Sequence, residues 1–271
     1  MTDASAIIQN LLLANPLREP TLRTIIQSLQ LPTGSRGLDA GCGIGLQTLL
    51  LAEAVGTAGH ITGLDVLHEL LAYGEEMVAK AGLAAQVTFR AGDVGCLPFE
   101  EDSFDWVWSA DCIGYPAGEL TPLLKELLRV VKPGGSVILL GWSSQQLLPG
   151  YPLLEARLNA NCSGYIPFFQ GKTPESNFMR ALSAFRETDF ESIEAKTFAG
   201  DIRGPLRPEE CTALISLFGM LWGTPQPEVS AQDWVMYKRL CTPGSADFIL
   251  DMPEYYGFFT YSMFRGKVSK K

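Results

Sequence analysis

The sequence predicts an α/β protein built on one seven-stranded, mostly parallel, doubly wound sheet. Short apolar segments alternate with helix-patterned ones from residue 36 to residue 142, which implies right-handed crossovers and a sheet covered on both faces. A glycine-rich turn, Gly41, Gly43 and Gly45, joins the first such strand to the first such helix. Two further strand-like runs near the C-terminus bring the count to seven.

Taken in order, residues 5–31 read as one or two helices, with apolar positions at Ile7, Ile8, Leu11 and Leu12, then Leu22, Ile25, Ile26 and Leu29. "LPTGSRG" is a turn, and Leu38 to Ala40 opens the first strand. Gln47 to Val55 is a helix, "HITGLDV" a strand, and His68 to Ala81 a helix closed by Gly82. "QVTFRAGD" and "FDWVWSADC" are the third and fourth strands. Leu120 to Val131 is a helix ended by "KPGG", and "SVILLGW" is the fifth strand. Beyond Trp142 the rhythm stops: 143–172 is loop-rich and aromatic, and helical periodicity returns at 174–187. "FESIEAKTF" and "YGFFTYSMFRGKV" are the sixth and seventh strands, with helical patterns near 208–222 and 230–240 between them. The expected organisation is one compact domain in three stretches. They are a helical segment at 1–35, a ligand-binding core at 36–142, and 143–271, which completes the sheet and carries lid insertions at 143–172 and 199–255.

Composition narrows the function. A formal charge of −9 repels a phosphate backbone, so small molecules are expected as partners and nucleic acid is not. Six scattered cysteines with no C-x-x-C pair read as thiols of a reducing compartment, with neither a disulfide framework nor a metal site. The N-terminal apolar run is broken by Asn10, Asn15 and Pro16, so neither a signal peptide nor a membrane span is expected and a cytoplasmic location is the default. The sequence leaves the oligomeric state open.

In a doubly wound sheet, ligands sit outside the carboxyl ends of the strands, where the strand order switches. The three glycines fall on the first such turn, where lack of Cβ lets a ligand touch the backbone. Asp65 ends the second strand about twenty residues on, where a carboxylate can accept both hydroxyls of a ribose or cap the next helix. Asp93 follows the third strand, placed either to take an exocyclic amine or to close an ordinary turn. A dinucleotide-binding oxidoreductase would need G-x-G-x-x-G to seat a pyrophosphate on the helix N-terminus. Here the loop is G-C-G-I-G, with Leu46 where that third glycine would be.

"LDAGCGIG", "ITGLDV", "AGDVGCLPFEEDSFDWVWS" and "LKELLRVVKPGGSVILLGW" together resemble the successive motifs of class I S-adenosylmethionine-dependent methyltransferases. The likeness is greatest to the branch with the ubiquinone and menaquinone C-methyltransferases, and it covers roughly residues 36–142. It implies a Rossmann-like sheet with an antiparallel last strand and S-adenosyl-L-methionine as cofactor. By that resemblance Gly41 and Gly43 lie under the methionine part, with Asp39 holding the loop and the amino group. Asp65 takes the ribose hydroxyls and Val66 lies against the adenine. Asp93 takes the adenine amine with the backbone of Val94, and Ser109 faces the methionine end. The same motifs would serve a non-catalytic protein that binds the cofactor or its product.

A sulfonium methyl is already activated, so the protein has mainly to align an acceptor and exclude water. His60 and His68 read as structural. Asp111 and Tyr115, just beyond the fourth strand, are the candidates for a base or an orienting group. The acceptor is expected to be small, apolar or aromatic, in a pocket made by the N-terminal helices and the two insertions. Trp142 and Tyr151, nearest the end of the fifth strand, are the candidates to line it. Gly37 stands where a strand favours a β-branched residue, and the sequence offers no reason for it.

Overall fold

The computed structural model describes residues 4–162, 164–224 and 228–269. The chain opens with one continuous helix, α1 (Ala4–Ser28), although Pro16 and Pro20 lie inside it. A proline in a helix interior removes a hydrogen bond and costs about 3 kcal/mol or more. Leu17, Leu22, Ile25 and Ile26 bury one stripe of α1 against the core, at roughly 1.5–3 kcal/mol each, which offsets that cost.

The alternation then proceeds as β1 (Arg36–Ala40), α2 (Leu46–Val55), β2 (His60–Asp65), α3 (His68–Lys80), β3 (Val87–Ala91), β4 (Phe104–Ala110) and α4 (Leu120–Val130). Strand β5 (Val131–Gln146) is longer than its apolar run, because β7 (Tyr256–Val268) pairs with it as far as Gln146. Residues 143–172, expected as loop, hold two helices, α5 (Pro152–Ala160) and α6 (Ile166–Phe169). Glu155 explains the first of these. Its buried carboxylate accepts the N–H groups of Leu147 and Leu148 at 2.7 and 2.9 Å, tying α5 to the end of β5. The helical stretch expected at 174–187 is two 3-10 turns followed by α7 (Ala181–Arg186). Strand β6 (Phe190–Arg203) runs beyond its expected end for the same reason as β5, since it pairs with β7 up to Tyr256. Helices α8 (Pro208–Trp222) and α9 (Ala231–Cys241) fill the stretch before β7.

The seven strands form one sheet in the order β3-β2-β1-β4-β5-β7-β6. The first five are parallel to one another, and β7 is antiparallel to both β5 and β6. The chain moves from β1 outward to β3, then returns to the other side of β1 with β4. The order therefore reverses between β1 and β4, and the crevice beyond their carboxyl ends is where such a sheet receives ligands.

Strand alternation sends side chains to two cores. Trp106 and Trp108 of β4 join α1, α2 and α8 on one face, while Val107 packs with α4 and α7 on the other. Gly37 acquires its reason here. A Cβ at that position would fall inside the indole ring of Trp106, which lies across the neighbouring strand and donates its Nε1–H to Ser35 Oγ at 2.9 Å. Among the described residues no helix is long and apolar enough to cross a membrane.

Candidate functional site

The turn after β1 has left-handed backbone at Gly41 (φ 82°) and Gly43 (φ 55°). A Cβ at Gly41 would overlap Cys112 Sγ, and one at Gly43 would stand 3.3 Å from Leu11 Cδ1 of α1. The turn is thus pressed between the loop after β4 and the first helix, and only glycine meets both the geometry and the space.

Three carboxylates stand at or near the carboxyl ends of β1, β2 and β3. Asp39 is 2% exposed and accepts a hydrogen bond from Thr48 Oγ1 at 2.6 Å. Burial pushes its carboxyl up to about 7; the Thr48 bond opposes that rise and the nearby Asp65 charge adds to it. Asp65 ends β2, with Oδ2 accepting the Gly43 N–H at 2.9 Å and Oδ1 the Leu67 N–H at 3.1 Å. It therefore ties the glycine turn to the start of α3, and each oxygen keeps a lone pair for a further donor. Val66 beside it is 60% exposed. Asp93, exposed after β3, accepts the Gly95 N–H at 2.7 Å, and Val94 is half-buried against the second core. Acceptors around a glycine turn suit hydroxyl, amine and ammonium groups and repel a pyrophosphate. A ribose-bearing, cationic, phosphate-free cofactor fits these residues.

The structure brings Asp111 and Trp142 together at the end of β4 and β5. Asp111 has a left-handed backbone (φ 49°), uncommon outside glycine and best tolerated by Asp and Asn. Its Oδ1 accepts the Trp142 backbone N–H at 2.8 Å, and its Oδ2 accepts the Tyr261 hydroxyl at 3.3 Å and Arg18 Nη2. Arg18 also donates through Nε to the Tyr261 oxygen at 2.6 Å. Neither Arg18, on α1, nor Tyr261, on β7, was marked by the sequence; they lie 93 and 150 positions from Asp111, and no local pattern joins them. The Tyr115 hydroxyl donates to the Trp142 carbonyl at 2.9 Å and lies 3.3 Å from the Tyr165 oxygen. Burial pushes the Tyr115 phenol well above its ordinary value, and the Asp111 charge adds to this. A phenol so held keeps its proton.

Two cavities meet at this point. One of about 130 Å³ lies against Gly41, Gly43 and Gln47, closed by Asn15, Arg18 and Asp111. The other, about 510 Å³, runs between α1 and α8, with Leu17, Leu217, Met220, Tyr115, Trp142 and Tyr165 in its walls. They share Leu11, Arg18 and Asp111. The Trp142 indole stacks on Phe259 at 4.4 Å between ring centres, which fixes that wall. Of the expected residues, Gly41, Gly43, Asp111, Tyr115 and Trp142 line one or both cavities, while Asp39, Asp65, Val66, Asp93 and Val94 stand outside the two linings, as do Tyr151 and Ser109. Tyr151 is 39% exposed at the start of α5. Ser109 is buried within β4, its Oγ accepting the Ile113 N–H at 3.4 Å.

Comparison with known proteins agrees with this geometry. A family model described as a methyltransferase domain matches residues 38–135. The chain is 30% identical over 197 residues to a demethylmenaquinone methyltransferase of Staphylococcus carnosus, spanning 66% of this chain and 78% of that protein. It is 35% identical over 186 residues to a protein of the same name from Bacillus cytotoxicus, spanning 68% and 70%. Among solved structures, the YcgJ protein of Bacillus subtilis superposes with a TM-score of 0.59 at 17% identity, over 92% of this chain and 99% of that one. That last likeness speaks for the fold.

Proposed function

The chain belongs to the class I S-adenosylmethionine-dependent methyltransferases, near their menaquinone branch, and from that premise we propose that it methylates a small aromatic acceptor of quinone type, in reduced form, by in-line transfer. The observation that carries this is the junction of the two cavities, where an apolar volume of about 510 Å³ opens onto the glycine turn. That volume suits one small organic molecule. The relatives that span most of this chain are named for a demethylated quinone, which supports the same acceptor class.

Bound over Gly41 and Gly43, the cofactor supplies a methyl already activated on a sulfonium. The chain's own residues then have to hold the acceptor in line and keep water out, and such positioning is worth up to about 7–11 kcal/mol. We assign Asp39 to the amino end of the cofactor, Asp65 to its ribose, Val66 to the adenine face, and Asp93 with the backbone of Val94 to the adenine amine. Helices α1 and α8 cover the acceptor as a lid, and Trp142 with Tyr115 forms its aromatic wall. Asp111 already accepts three donors, so its part is to orient Arg18 and the Trp142 backbone. We place Tyr151 and Ser109 at the margin of the site, Ser109 supporting the β4 end and Tyr151 the rim. The unpaired state of all six cysteines supports a cytoplasmic setting.

The test is transfer of label from methyl-labelled S-adenosylmethionine to a reduced naphthoquinone. Label on the ring carbon next to an oxygen supports the proposal. Cofactor binding without transfer to any hydroxyarene would leave a cofactor-binding protein in place of this enzyme.

A further inference from the structure

We infer that Arg18 is an oxyanion-binding residue at the junction of the cofactor pocket and the acceptor cavity, an inference that rests on the methyltransferase reading of the site. Its guanidinium lines both cavities, and its side chain is 20% exposed. Two of its edges are committed: Nε to the Tyr261 oxygen and Nη2 to Asp111. Nη1 has no acceptor among the described residues, and its N–H groups are left for a ligand. The fork shape of arginine permits this division, whereas a lysine ammonium would collapse onto Asp111.

Asp111 does not cancel the site. Its carboxylate also receives the Tyr261 hydroxyl and the Trp142 N–H, so Arg18 is not its sole partner and keeps attraction for a second anion. In a water-poor setting a charge-assisted bond of this kind is roughly twice as strong as a neutral one. The titratable groups around Arg18 are Asp111 beyond β4, Tyr115 on the same loop, Tyr165 before α6, Tyr261 on β7, and Cys42 of the glycine turn. The tyrosines and the thiol are all pushed upward by burial, so they stay neutral near pH 7 and do not compete as anions.

The site admits an oxyanion from either of two sources. One is the carboxylate at the methionine end of the cofactor. The other is the ionised oxygen of a hydroxyarene acceptor. In the second case the balance of the step is complete: the ring carbon beside the oxygen forms the new C–C bond while the S–CH3 bond breaks with its electron pair going to sulfur. The ring C–H proton then leaves to solvent and the aryl oxyanion is restored.

The experiment compares wild type with Arg18→Gln and Arg18→Lys in the full chain. Calorimetry measures S-adenosylmethionine against its decarboxylated analogue, and single-turnover transfer to a reduced naphthoquinone is followed against pH. If the carboxylate is the ligand, wild type prefers the intact cofactor by tenfold or more, and both Arg18→Gln and Arg18→Lys lose that preference, the lysine because it is held by Asp111. If the acceptor oxygen is the ligand, that preference is unchanged. The acidic limb of the rate profile instead moves up by about one pH unit in Arg18→Gln. Tyr261→Phe, which removes the Nε partner and one donor to Asp111 but leaves the guanidinium in place, gives a smaller change in the same readout. An Arg18→Gln protein that binds the cofactor and retains both the preference and the profile overturns the inference. Failure of wild type itself to bind S-adenosylmethionine would sink the underlying reading and the inference with it.

Discussion

Asp39 offers the most quantitative perturbation. Its carboxyl is held up at about 7 against an ordinary 3.8, chiefly by burial. A carboxyl whose folded value is raised binds more protons in the folded state than in the unfolded one between those two values. Stability is therefore fully present below about pH 4 and is lost as pH rises through the window to about 7. The interval, at about 1.36 kcal/mol per pH unit, corresponds to about 4 kcal/mol. Asp39→Asn stays neutral throughout and retains an oxygen to accept the Thr48 hydroxyl. The assay is urea unfolding of both proteins from pH 4 to pH 9, compared through midpoints and slopes. The Asn protein should gain relative to wild type steadily up to about pH 7 and hold a constant advantage beyond, with the groups common to both cancelling. A difference that is flat in pH, or that grows toward acid, refutes the burial argument. If Asp39 also meets the amino group of the cofactor, binding near pH 7 should release about half a proton, seen as buffer-dependent heats.

Three further outcomes follow from the same structure. Gly41→Ala forces a Cβ into Cys112 at a left-handed backbone position. It should cost about 1–2 kcal/mol of backbone energy alone and abolish measurable cofactor binding by calorimetry. Gly37→Val, far from the ligand, should lower stability by about 1–3 kcal/mol or more through overpacking against Trp106, while cofactor affinity in the folded fraction stays as in wild type. Leu217→Glu places a charge in the wall of the larger cavity; it should raise the acceptor KM at least tenfold and leave the cofactor Kd unchanged. Equal losses in both constants would mean that the cavity does not hold the acceptor.

What could be read from the sequence follows from how local each signal is. The alternation of strands and helices, the glycine turn and the strand-end carboxylates are each set within a few residues, and they reappear at their expected places. Strand ends were less legible because pairing sets them: β7 partners β5 on to Gln146 and β6 on to Arg203, beyond the apolar runs of either. Gly37 was opaque because its reason is the indole of Trp106, on the neighbouring strand. The Arg18–Asp111–Tyr261 network was invisible for the same cause on a larger scale. Its members come from the first helix, the loop after β4 and the last strand, and only the folded chain brings them within bonding distance. Asp111 was found by its position after β4, but its three donors could not be inferred from neighbours in sequence.

The central claim, that the cavity between α1 and α8 presents an aromatic acceptor to a methyl donor seated on the glycine turn, is tested most directly by methyl transfer. Protein incubated with methyl-labelled S-adenosylmethionine and a reduced naphthoquinone should yield one labelled methyl per acceptor, on a ring carbon, and Leu217→Glu should reduce that yield at subsaturating acceptor. Bound cofactor with no label on any hydroxyarene, at any acceptor concentration, would contradict it.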